Sequence, residues 1–425
     1  MKTLILKNCR YIVTQDKNRQ ILENKDILIE DNLIAGIGKF EGKNILDCSK
    51  KIVMPGLINL HTHTITNLLR GVSDDLPLDK WLKQKVWPAE EKIDDLYYGS
   101  LITCVENIKN GVTTFLDMTT NPDRIAKAVD ETKVRCFLGD CYIDFFNKEK
   151  REKEIKQANE FVKKKFSSLI TKVIAPHALN TCSKELLKEL SKIAKENNLL
   201  YHIHVLETKL EKTFIEDKIG KSTFEHLNDL KLLNENVLAA HLCWLSESEA
   251  KIMAKNNVKA VHCPISNLKL ASGAILPLPQ MLELGINVGL GTDSNASNNN
   301  QDILEEVKQA GIIHKFNHND ASILPNQTLI DLATINSAKI LKLNAGSIEL
   351  NKLADLITFD LKNIKLAPIS KENILSHISF SVNGSDVNDT IINGELLMKD
   401  RTLIQLNEEK LVNKLQDYFE EKGLF

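Results

Sequence analysis

Apolar and polar positions divide the chain into three stretches of different period. Residues 1–54 alternate apolar and polar side chains between turn signals, as in Ile27-Leu28-Ile29-Glu30, then Asp31-Asn32, then Leu33-Ile34-Ala35-Gly36-Ile37. That pattern predicts hairpin-like β structure. From Pro55 to about Leu343, short Val/Ile/Leu runs alternate with amphipathic stretches. Ser183 to Asn197 is one of these, with Leu186, Leu187, Leu190, Ile193 and Ala194 on a single helical face. After about Gly346 the β pattern returns, in Leu353 to Asp360 and Asp389 to Leu396, and residues 408–420 read as a closing helix. The predicted class is α/β, with a (β/α)8 TIM-type barrel over residues 55–346. The two flanks, 1–54 and 347–425, are each too short for a stable sheet and are expected to pack together as one small β-sandwich domain. Eight candidate barrel strands end near His63, Asp117, Asp140, His177, His204, His241, His262 and Asp293.

Composition narrows the function classes. Of 425 residues, 43% are hydrophobic and 26% charged, as expected of a globular protein with a sizeable core. The formal net charge is -2 and the best basic run is Lys163-Lys164-Lys165, which reads as a solvated helix face; no nucleic-acid partner is expected. Eight cysteines are scattered without a Cys-x-x-Cys pair, which predicts a reduced, cytoplasmic protein. The apolar run near the start, Leu4-Ile5-Leu6, is cut by Lys7, Asn8 and Arg10, and no run approaches the length of a membrane span, so no membrane association is expected.

Candidate chemistry concentrates at the strand ends. His61-Thr62-His63 closes the run Pro55 to Leu60, and residues two apart on a strand point to one side and can grip one ion. His204, His241 and Asp293 each end a similar run. Imidazoles with a carboxylate suit a borderline-soft divalent ion such as zinc, with a position left open for water. Such an ion at the C-terminal mouth of a barrel would lower the pKa of its water toward neutrality. Glu207 follows His204 by three residues, where the strand gives way to a loop, and can shuttle a proton without being a ligand. The bland alternatives are a helix-terminus role for Glu207 and a turn cap for Asp293. His202 should face the same side as His204 but deeper, as a buried structural residue. His262 ends the seventh predicted strand and is a candidate to line the pocket, and His226, His314, His318 and His377 read as surface or packing residues.

Taken together these stretches resemble the amidohydrolase superfamily, and within it the 5'-methylthioadenosine/S-adenosylhomocysteine deaminases. The resemblance rests on the His-x-His after Pro55 to Leu60, on Arg70 to Leu78 with Trp81-Leu82, and on Trp87-Pro88-Ala89-Glu90. It continues through Pro176 to Leu179, His204 to Thr208, His241-Leu242, Cys263 to Gly273 and Gly291 to Asn300. Glu149 to Glu154 looks more like the methanogen members, the 5'-deoxyadenosine deaminases. The resemblance implies one zinc ion per chain held by His61, His63, His204 and Asp293, with ferrous iron the other ion these ligands accept. Glu207 matches the proton-shuttling glutamate, and His241 the histidine that orients the attacking oxygen, so His241 need not be a ligand. Asp293 matches the group that takes a proton, Glu90 a carboxylate that binds the ribose hydroxyls, and His177 a further substrate contact. The implied reaction is hydrolytic deamination of 5'-deoxyadenosine, 5'-methylthioadenosine, S-adenosylhomocysteine or adenosine at C6. The implied assembly is a homo-oligomer, a tetramer among the candidate states.

Relatives that favour S-adenosylhomocysteine carry arginines near the end of the third barrel strand. Asp140 is the nearest equivalent of one here, with Arg151 or Lys150 as candidates for the second, so small 5' groups are expected to be preferred. The competing readings are a sister hydrolase acting on guanine, cytosine or a triazine, a non-catalytic assembly protein, and a nucleoside-binding module without turnover. Glu90 and the Trp81/Trp87 segment favour a nucleoside, because a free base has no ribose to grip.

Overall fold

The structure is a computed structural model and describes residues 2–423 except Ser73; Ser73, within the Arg70 to Leu78 stretch, lies outside the described residues. The chain opens with β1 (Thr3–Val13), β2 (Ile21–Glu30), β3 (Leu33–Gly38), β4 (Ile45–Asp47) and β5 (Lys51–Pro55). Eight parallel strands follow: β6 (Leu57–Thr62), β7 (Val112–Thr119), β8 (Arg135–Tyr142), β9 (Ile170–Pro176), β10 (Leu200–Val205), β11 (Val237–His241), β12 (Lys259–His262) and β13 (Val288–Leu290). They pair in chain order, and helices cross between them, as the α/β barrel reading requires. The predicted helix over Ser183 to Asn197 is present as Lys184–Glu196; the Ser183 hydroxyl caps it by accepting from the Leu186 amide, and all five residues of the predicted face are buried.

Burial on both faces explains the composition of the barrel strands. β6, β7, β10, β11, β12 and β13 are buried at every position, which is why apolar residues occur on both faces of these strands rather than on one. Ile58, Leu60, Leu116, Phe137, Val173, Leu200, Leu238 and Val261 fill the barrel, while alternate residues such as Tyr201, Ile203 and Val205 pack outward against the helices. On β10 this alternation sends His202 and His204 inward together.

The end strands β14 (Leu356–Asp360), β15 (Val387–Ile392), β16 (Glu395–Lys399) and β17 (Thr402–Leu403) return to the first five. They form one nine-stranded sheet in the order β17-β16-β15-β14-β5-β1-β2-β3, with β4 against β1. β14 inserts antiparallel beside β5, with Met54 opposite Ile357, so both chain ends share one sheet. Its core includes Leu6, Ile12, Ile27, Ile34, Leu356 and Ile391. The Arg135 guanidinium at the start of β8 meets the Asp355 carboxylate of this sheet at 3.2 Å, both nearly buried. The final helix, Glu408–Lys422, packs against the segment around Asp94 to Tyr98, where the Tyr418 hydroxyl donates to Asp94 at 2.9 Å.

Removing one partner of a buried ion pair leaves a charge without compensation. Arg135→Ala is therefore expected to cost about 3–5 kcal/mol of stability, measured by urea unfolding; a loss below about 1 kcal/mol would show that the joint between sheet and barrel does not depend on this pair.

Candidate active site

The barrel closes on itself at the residues of interest. Between the first and last strands, Thr62 and Asp293 form a parallel bridge, and the Asp293 amide donates to the His61 carbonyl at 2.9 Å. Gly291 allows this approach, because a Cβ there would sit 2.7 Å from His61 Cβ and 2.9 Å from Val261. The seam brings His61 and His63 against Asp293, whose Oδ1 lies 3.3 Å from each imidazole Nε2. His204 Nε2 lies 3.2 Å from that of His61 and 3.3 Å from that of His63. His61, His63 and His204 together could hold a metal ion, and so could His61, His241 and Asp293.

The outer nitrogens decide which way these rings present their lone pairs. His63 Nδ1 donates to the Met118 carbonyl at 2.6 Å, and His204 Nδ1 to the His177 carbonyl at 2.8 Å. His202 Nδ1 donates to the Leu238 carbonyl at 3.0 Å, which leaves its Nε2 to accept from His61 Nδ1 at 2.8 Å. A carbonyl only accepts, so each neutral ring carries its proton outward and turns an Nε2 lone pair inward. Burial disfavours the charged imidazole, holding His61 down to about 4 and His204 well below its usual range. Lone pairs facing one another with a carboxylate oxygen between them fit a cation such as zinc. Burial also works against a charged His63, but the contact with Asp293 outweighs it and raises this ring.

His241 is oriented the other way. Its Nδ1 accepts from the Asn267 amide nitrogen at 3.1 Å, so the neutral ring carries its proton on Nε2, facing Glu207 Oε2 at 3.8 Å. Such a ring is a hydrogen-bond donor to an atom in the cavity rather than a lone-pair ligand. Asp293 Oδ2 accepts from Ser266 Oγ at 2.6 Å and from Ser297 Oγ at 3.3 Å, leaving Oδ1 for the centre. Burial alone would raise Asp293, but its contacts with His61 and His63 hold it well below the usual carboxylate range. Burial, with Asp293 adding to it, pushes Glu207 up to about 8. Leu206, His241, Leu242 and Asp293 all adopt left-handed backbone, which side-chain-bearing residues rarely do outside sites that over-determine them.

Around this floor lies one cavity. Glu90, half-buried on the short helix Trp87–Glu90, lines one wall with Leu78, Trp81, Leu82, Val86 and Trp87. Met118, Cys141, Ile143 and Ala178 also line it, with His177 beside His204. Burial pushes Glu90 up to about 7 and His177 down to about 3. Seven of the eight expected site residues line this cavity, and the eighth, His61, lies buried at its floor.

Residues 52–397 match the amidohydrolase family. The chain belongs to that family. It is 39% identical over 429 residues to the 5'-deoxyadenosine deaminase of Methanosarcina acetivorans, covering 99% of this chain and 98% of the relative. It is 41% identical over 397 residues to the 5-methylthioadenosine/S-adenosylhomocysteine deaminase of Pyrococcus furiosus, covering 92% and 94%. Among solved structures, an adenosine deaminase from Xanthomonas campestris with bound zinc superposes with a TM-score of 0.93 at 28% identity, covering 99% of each chain.

Three expectations are corrected in this amidohydrolase. Asp140 does not face the cavity: strand alternation sends it outward, where both carboxylate oxygens accept from Gln157 at 3.0–3.1 Å, while Cys141 and Ile143 face in. Arg151 and Lys150 stay outside too, Arg151 bonded to Ser183 and near Asp144, Lys150 lying over the Phe145 ring. His262 pairs with His314 at 3.2 Å behind the site and does not line the cavity. Sequence reasoning placed His202 inside the barrel but missed its bond to His61. It also gave no role to Ser266 or Asn267, although both stand in the Cys263 to Gly273 stretch, and none to Glu211.

His202→Leu stays close to histidine in volume and deletes the acceptor for His61 Nδ1. Loss of such a supporting contact costs about 10–100-fold in metal affinity, to be read by competition with a chromophoric chelator; unchanged affinity would leave His202 as packing alone.

Proposed function

We propose that this amidohydrolase hydrolytically deaminates adenosine derivatives with small 5' groups, 5'-deoxyadenosine and 5'-methylthioadenosine foremost. The observation that carries the reading is the convergence of three Nε2 lone pairs and Asp293 Oδ1 at the floor of a cavity that also holds Glu207. The two full-length relatives named above support the substrate class. A zinc-type ion, zinc itself being our reading and ferrous iron the other candidate, would be held by His61, His63, His204 and Asp293. When bound it supplies Lewis-acid chemistry and brings the pKa of water toward neutrality.

The side chains supply the rest. Glu207, raised by burial, can hold a proton near neutral pH and pass it from the attacking water to a ring nitrogen of the purine. Asp293, held low, remains an acceptor for the remaining proton. His241 Nε2–H donates to the attacking oxygen and fixes its approach. Water adds at C6, ammonia leaves, and the product is the inosine analogue. Glu90 would accept from the ribose hydroxyls while Trp81 and Trp87 wall the cavity against solvent. Those residues favour a nucleoside over the free bases and triazines of sister hydrolases.

The preference for small 5' groups stands on a different footing from Asp140. Met118, Cys141 and Ile143 make part of the cavity lining apolar, and no Lys or Arg is among the described residues lining it. A homocysteine carboxylate entering there would lose its water without gaining a cationic partner. S-adenosylhomocysteine is expected to show the lowest kcat/KM of the three 5' substrates, and a highest value for it would sink the preference.

Glu207→Gln tests the reading directly. It should keep its metal and lose turnover by about 10²–10⁴-fold, followed as ammonia release; near-full activity would remove Glu207 from the chemistry. Glu90→Ala should raise KM for nucleosides and leave any slow turnover of free adenine unchanged, whereas equal effects on both would remove Glu90 from the ribose site.

A further inference from the structure

Glu211 is a buried carboxylate that the mechanism above does not use. It is 5% exposed, lines the cavity, and forms no ion pair among the described residues. Burial pushes it up to about 7. A group this costly to bury calls for a reason, and its partners supply one. Oε1 accepts from the Leu206 amide at 3.0 Å, and Oε2 accepts from the Glu207 amide at 3.0 Å.

The arrangement departs from ordinary helix capping. Thr208 caps the helix Lys209–Ile219, its hydroxyl accepting from the Glu211 amide, and Glu211 stands at the third helical position. In a capping box that glutamate would reach back to the amide of the cap residue itself. Here it passes Thr208 and grips the two preceding amides. Leu206 has φ +56°, a left-handed conformation that a leucine adopts only against a steric cost. From the opposite side, the Trp244 amide donates to the Leu206 carbonyl at 3.0 Å. Leu206 is thus held between β11's continuation and the helix, and Glu207 is presented from a turn that would not keep its shape unaided.

We propose that Glu211 is the positioning residue for Glu207, its two oxygens clamping the strained turn so that the Glu207 carboxylate meets both the attacking water and the purine ring. The proposal rests on Glu207 as the proton carrier. A carboxylate is required because each amide needs its own acceptor oxygen. In Glu211→Gln one amide faces an NH2 instead, and in Glu211→Ala both lose their partner.

The test is a double-mutant cycle on ammonia release from 5'-deoxyadenosine, with KM, metal content and Tm recorded for each variant. Misplacing a reacting group by about 1 Å can cost on the order of 10²-fold, so Glu211→Gln should lower kcat by about 10–100-fold and Glu211→Ala by more. KM and metal content should stay within about twofold of wild type. In the Glu207→Gln background, Glu211→Gln should add no further loss, because it acts through the group already removed. If Glu211→Ala does not fold, Glu211→Gln carries the test alone. Unchanged kcat with a lowered Tm would make Glu211 a helix cap only, a rise confined to KM would make it a substrate contact, and independent losses in the double variant would show it acts elsewhere; each overturns the proposal. An inert Glu207→Gln beside a fully active Glu211→Gln overturns this inference alone, whereas an active Glu207→Gln overturns the proton-carrier reading and this inference with it.

Discussion

Closure of the barrel at one seam is the constraint on which the site depends. The first and last parallel strands meet through a bridge between Thr62 and Asp293 and a hydrogen bond from the Asp293 amide to the His61 carbonyl. Those residues belong to the site itself, so closing the fold and assembling the site are the same event. Gly291 is where the two requirements meet, since any side chain there would push β13 off β6 and carry Asp293 away from the imidazoles.

Around the seam, orientation is set by groups one layer out. Backbone carbonyls of Met118, His177 and Leu238, the last acting through His202, hold the proton of each inner imidazole on its outer nitrogen. Asn267 holds His241 in the opposite sense, and Ser266, its neighbour in the chain, occupies the outer oxygen of Asp293. One short segment after β12 thereby prepares both a donor and an acceptor. The left-handed backbone at Leu206, His241, Leu242 and Asp293 is the strain this preorganisation costs. That strain is sustained by the packing of a barrel buried on both faces.

Much of this was legible in the chain because strand periodicity and strand ends are local signals. Alternation along β10 placed His202 and His204 on one side, and the apolar runs located all eight strands to within a few residues. The joining of both chain ends followed from each flank being too short to stand alone, and the structure joins them through β5 and β14. What was not legible depends on distance in sequence. The pairing of Asn267 with His241 and the reach of Glu211 past Thr208 leave no periodic trace. Asp140 failed for a simpler reason: one residue of register on β8 decides whether a side chain faces the cavity or the helices, and β8 runs two residues beyond the expected end. The apolar wall that replaces it leads to the same expectation about the 5' group through Cys141 and Ile143.

The most direct test of the account is ammonia release from 5'-deoxyadenosine by protein stripped of metal with a chelator and then titrated with zinc. The account predicts no release from the stripped protein and full recovery at one ion per chain. Undiminished turnover after stripping, or silence at every loading with zinc bound, would contradict it.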